Sequence, residues 1–195
     1  MAFFSVGELV DVVLMTLFVG YIFSGYLGKY RPVGDDPIAH YQQKRSMFGV
    51  DIEDLKFAAM ITAPAIILHE LGHKFVALAF GIQAQFNAAY FWLILGVVLK
   101  LMNFGFIFFV PAYVTILGGA THLQSALIAG AGPFVNLLLW GIAWWCVKNM
   151  KLKKKWMSIM SLTSRVNMFL FFFNMLPFFL FDGYKFFKGM FGVLF

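Results

Sequence analysis

Charge and cysteine are both scarce in this chain. Only 12% of its 195 residues are charged, against 62% that are hydrophobic. Average soluble domains carry roughly 25% charged residues, so a water-soluble globular domain is excluded. The lone cysteine, Cys146, rules out an internal disulfide and a cysteine-based metal site, and reads as a small apolar residue in a span. Four histidines are too few for a di-iron oxygenase or desaturase centre. Acids are rarest where they matter most. After Asp54 the chain holds only two, Glu70 and Asp182. The start, Met1-Ala2-Phe3-Phe4, lacks a basic n-region, so no cleavable signal peptide is expected.

What is present is a series of long apolar runs. The sequence predicts an all-α polytopic membrane protein: a bundle of about five to six transmembrane helices, with room for a short re-entrant or β segment. Spans are predicted over residues 7–26, 55–80, 125–147 and 157–175, with Gly81 ending the second. A polar loop over 29–54 joins the first two. Residues 83–119 are ambiguous. The run 86–102 reads as a short span, and 104–117, broken by Pro111, as another or as a strand-like re-entrant piece. The tail 184–195, with Lys185 and Lys188, reads as an interfacial amphipathic helix. No repeat or linker divides the chain, so one membrane-embedded domain over 1–195 is expected. The net charge of +6 sits mostly in loops, which points to the lipid bilayer as a partner and not to nucleic acid.

Inside the second apolar run stands His69-Glu70-Leu71-Gly72-His73. Ionisable groups at membrane depth are costly and are functional suspects by default. Residues four apart share one helical face, so His69 and His73 can reach one tetrahedral Zn²⁺. Glu70 points elsewhere and is free to act as a base on water. A catalytic zinc usually takes three protein ligands, and elimination leaves Asp182 as the third. It lies in an apolar run after Pro177, where an unpaired carboxylate would be expensive and a cation would remove the cost. The competing reading is that Asp182-Gly183 is turn or helix-cap chemistry. His122, at the start of a span, reads as interfacial. His40 reads as solvated in its loop, and Arg165 as snorkelling from the last span.

Three motifs now stand in order: His-Glu-x-x-His at 69–73, Gly-Pro-x-x-Asn at 132–136, and Asn-x-x-Pro-x-x-x-x-Asp-Gly at 174–183. In this the chain resembles the site-2 protease family of intramembrane zinc metalloproteases. The resemblance covers residues 55–190, the expected catalytic core; the extra first span and loop, 1–54, lie outside it. It implies hydrolysis of peptide bonds in transmembrane protein substrates by an integral, multi-pass protein of the cell membrane. It further implies zinc ligation by His69, His73 and Asp182, with Glu70 as catalytic base. Asn174 and Asn136 would be the substrate-binding residues: Asn174 on the substrate backbone or oxyanion, Asn136 also helping to fix the core. The chain resembles a minimal member, without a PDZ or nucleotide-sensing domain. Its apolar insertion over 86–117 departs from the short β-hairpin typical of the family. The alternative function is a non-catalytic membrane scaffold that retains the fold.

Sharing one zinc requires the spans carrying His73 and Asp182 to run in the same direction, so 83–119 must cross an even number of times. Loops 27–56 and 148–156 then share a face. That face holds Lys29, Arg31, Lys44, Arg45, Lys56, Lys148, Lys151, Lys153, Lys154 and Lys155. The positive-inside rule makes it cytoplasmic. The resemblance implies the opposite orientation, with zinc nearer the cytosol.

Overall fold

A computed structural model describes residues 4–32, 51–104 and 110–194. His40 and the middle of the first polar loop lie outside them. The described residues form six α-helices and a two-stranded sheet: α1 (Val6–Leu27), α2 (Ile52–Ala79), β1 (Gln83–Ala88), α3 (Tyr90–Leu101), β2 (Ala112–Leu117), α4 (His122–Asn149), α5 (Lys154–Asn174) and α6 (Asp182–Leu194). Among them α1 (extended by a 3₁₀ turn), α2 and α4 are long and apolar enough to cross a membrane.

The starts of α1, α2 and α4 follow capping chemistry and so precede the apolar runs. Asp51 caps α2, accepting from the Glu53 amide at 2.9 Å. Thr121 and Gln124 form a capping box that starts α4 at His122, three residues ahead of the hydropathy boundary. Ser5 and Glu8 do the same for α1. Gly81, at φ +73°, supplies the left-handed residue just after the α2 C-cap, Phe80.

The ambiguous stretch resolves into strand, helix, strand. The run 86–102 is no span: α3 has 12 residues, about 18 Å at 1.5 Å per residue against a hydrocarbon core of about 30 Å. β1 and β2 pair antiparallel, with Gln83 opposite Leu117 and Ala88 opposite Ala112. The expected β segment is therefore real, and α3 is inserted between its strands. That register sets the end of α2 beside the start of α4. The stretch thus returns to the level it left, as an even number of crossings requires.

α1 is no appendage to this core. Its Met15 and Val19 share one buried cluster with Ile66 of α2, Phe86 of β1, Leu93 of α3 and Ala112 of β2. A second cluster joins Leu27 of α1 to Phe57, Ala58 and Ile61 of α2 and to Ile159 and Leu162 of α5. Helices α2 and α4 approach closely through small residues. A Cβ on Gly72 would stand 2.9 Å from the Ala131 carbonyl oxygen, so backbone contact here depends on glycine. This crossing positions the two histidines.

Candidate metal centre

Three side chains converge where α2, α4 and the start of α6 meet. His69 Nε2 and His73 Nε2 lie 3.1 Å apart, and Asp182 Oδ2 lies 3.1 Å from the first and 3.2 Å from the second. The i, i+4 spacing on α2 supplies the imidazoles. Asp182 reaches them because the turn over 175–181 folds back tightly from α5. Gly183 makes that fold possible, since a Cβ there would stand 2.6 Å from the Leu176 carbonyl oxygen. Asp182 does open a helix, as its turn chemistry suggested, and its carboxylate faces both imidazoles.

Hydrogen bonds on the far side of each ring fix the tautomers. His73 Nδ1 lies 2.7 Å from the Ile128 carbonyl, which can only accept. His73 therefore carries its proton on Nδ1, and the Nε2 lone pair faces Asp182. His69 Nδ1 lies 2.5 Å from Asn136 Oδ1. Asn136 Nδ2 donates to the Ala65 carbonyl at 3.0 Å and to Asn167 Oδ1 at 2.9 Å, so its oxygen must accept. His69 too is protonated on Nδ1.

With both Nδ1 atoms engaged elsewhere, the two Nε2 atoms and the carboxylate oxygen face one spot, the donor set a cation takes. A tetrahedral Zn²⁺ with ligand bonds of about 2.0–2.1 Å sets its ligand atoms roughly 3.3 Å apart, close to the triangle observed. Space has been kept for the cluster: a Cβ on Gly132 would stand 2.7 Å from His69 Nε2 and collide with His73 Nε2 as well. The residues present fit a zinc ion, with one face of the triangle open toward a cavity.

That cavity holds about 750 Å³ and is lined from α2, β2, α4, α5 and α6. Glu70 lines it beside His69 and His73, and Asn174, the last residue of α5, lines it too. Asn136 does not. It is 0% exposed and bonded to His69. His122 is exposed and lines the same cavity, whereas Arg165 is exposed in a separate pocket with Tyr30.

The sequence reading missed Asn167. It is 0% exposed and passes the chain on, its amide nitrogen donating to the Thr163 carbonyl at 2.8 Å. The signal was available: Asn167 and Asn174 are seven apart, hence on one helical face of an apolar run.

The chain of amides makes a prediction. Asn136→Leu should cut zinc affinity by about 10–100-fold, the usual cost of losing the group that orients a ligating imidazole. Titration against a fluorescent zinc chelator checks it; an unchanged affinity would remove Asn136 from the metal site.

Fold and site together define a helical membrane protein with a buried His-Glu-x-x-His cluster that, with Asp182, could hold a metal ion. The chain is 38% identical over 122 residues to a protein of Methanocaldococcus jannaschii named "Putative zinc metalloprotease MJ0611". The match covers 61% of this chain and 62% of that relative, so the chain spans about three fifths of the relative's length. No family model matches the chain, and no solved structure does.

Proposed function

We propose that this protein is an intramembrane zinc metalloprotease, of the kind the site-2 protease resemblance implies, that hydrolyses peptide bonds in transmembrane substrates. One observation carries the reading: two Nε2 lone pairs and a carboxylate converge within 3.2 Å, with a glutamate lining the same cavity. The relative's name agrees with it.

His69, His73 and Asp182 would hold the ion. Zinc, when bound, supplies Lewis acidity that lowers the pKa of water to about 7 and polarises a carbonyl. Glu70 takes the proton of the attacking water and passes it to the leaving amine. Asn136 holds His69 in the ligating tautomer.

A helical substrate has its backbone hydrogen-bonded internally and must become extended before attack. β2 offers the template. In an antiparallel pair, opposed residues alternate between bonded and non-bonded. Ala89 N donates to the Pro111 carbonyl at 3.0 Å, so in this register the odd-numbered β1 residues bond to β2. The even pairs, Phe86 with Val114 and Ala88 with Ala112, are non-bonded. The backbone groups of Ala112, Val114 and Ile116 therefore point away from β1, and all three residues line the cavity. An extended segment added there would lie as a third strand.

Asn174 lines the same cavity as this edge, and its amide could donate to the substrate backbone or oxyanion. Asn174→Ala should lower turnover about 100-fold or more while zinc content and melting temperature stay near wild type. Wild-type activity with a lowered melting temperature would make Asn174 a cap of α5 instead.

The proposal is tested by reconstituting the purified protein with zinc and a panel of single-span membrane proteins. Cleavage that stops on chelation and returns with zinc is the expected result. Stoichiometric zinc without cleavage of any panel member would favour the non-catalytic scaffold.

A further inference from the structure

The two-stranded sheet has two edges, and an extended peptide can add to either. The β1 edge is already occupied, but not by a strand. The Phe86 amide donates to Glu8 Oε1 at 2.7 Å, and the Ala88 amide donates to Asp11 Oδ2 at 3.1 Å. Glu8 and Asp11 lie one turn apart on α1, so their carboxylates meet alternate outward amides of β1 as a neighbouring strand's carbonyls would.

Each carboxylate is itself held. Glu8 Oε2 accepts from the Ser5 amide at 2.8 Å, and Glu8 Oε1 pairs with the ammonium of Lys74. Glu8 and Lys74 are 4% and 2% exposed, so this is a buried, paired site and not a surface contact. Lys74 directly follows His73 on α2, which ties the sheet's outer edge to the helix that carries the metal ligands. Asp11 Oδ1 accepts from the Tyr90 hydroxyl.

We propose that Glu8 and Asp11 are positioning residues that seal the β1 edge and leave β2, on the cavity side, as the edge open to an extended substrate. This rests on the protease reading above. The first span, which lies outside the family resemblance, thereby decides where substrate adds. With β1 open, a peptide could pair on the side remote from Glu70, and the sheet would lose its anchor to α2.

Removing Glu8 would break its buried ion pair with Lys74 and endanger the fold, so Asp11 is the residue to vary. The full chain, loaded with zinc, is assayed as Asp11→Ala, Asp11→Asn and Tyr90→Phe. Amide hydrogen exchange over 86–88 and the stoichiometry of binding of a capped fluorescent peptide of alternating valine and threonine are both measured. Asp11→Ala should speed exchange at Ala88 and open a second peptide site on β1, raising the binding stoichiometry from about one peptide to about two, at unchanged zinc content. Asp11→Asn, which keeps an acceptor for the Ala88 amide, should restore both. Tyr90→Phe, which removes only the hydroxyl, should change neither. Exchange and peptide stoichiometry at wild-type values in Asp11→Ala would overturn the proposal. Neither readout needs cleavage, so failure of the protease reading would show separately, as an inactive parent protein.

Discussion

Asp182→Ala is expected to lose zinc while keeping its fold. The loss should exceed the roughly 100-fold typical of removing a group that merely orients a ligand, because Asp182 brings the only negative charge in the ligand triangle. The stability of the variant makes the test sharp. Without metal, Asp182 still lies 3.1 and 3.2 Å from the two imidazoles, where its carboxylate can pair with a protonated ring. The alanine removes that pairing, so the metal-free variant should melt no higher than the metal-free wild type. With zinc the gap widens. Wild type gains stability as RT ln(1 + [Zn]/Kd), and the variant gains almost none. Melting curves with and without zinc, and metal analysis of the purified protein, read both effects. Stoichiometric zinc in Asp182→Ala would remove Asp182 from the ligand set.

The parts of this site that were legible in the sequence share a cause: ionisable residues are so few after Asp54 that each one stands out. His69 and His73 showed their common face by spacing alone. Asp182 was reachable by elimination, and the structure brings it to them across 113 and 109 residues of chain. The long spans were legible because hydropathy over about 20 residues is a strong signal. The stretch 83–119 was not, because short apolar runs rich in aromatic and β-branched residues read alike as strand or helix. Its solution depends on pairing residues from the two ends, such as Gln83 with Leu117, and no local pattern announces that. Asn136 was noticed, but its partner lies 67 residues away, and only packing shows that it faces His69 and not the cleft. The role of α1 was hidden for the same reason. Glu8 and Asp11 look like ordinary acids in a first helical turn, and their strand partners are 78 and 77 residues distant.

Glu70→Gln should keep zinc and fold but lower proteolysis by about 100- to 10,000-fold, the range for losing a positioned general base. Glu70 follows His69 by one residue, so it is rotated about 100° around α2 from that ligand. It stands outside the ligand triangle, yet it lines the cavity onto which the triangle opens. A ligand would be locked onto the metal; a group beside it can exchange protons with the attacking water and the leaving amine. At 8% exposure Glu70 is also shielded from bulk solvent, so no free water easily replaces it as proton acceptor. Glutamine is nearly isosteric and neutral, and it cannot take the proton. The variant therefore separates chemistry from binding: peptide affinity and zinc content should match wild type, and the rate at saturating substrate should collapse. Undiminished cleavage would rule out Glu70 as the base. Loss of zinc together with activity would instead place it among the ligands, against the geometry in which only His69, His73 and Asp182 converge.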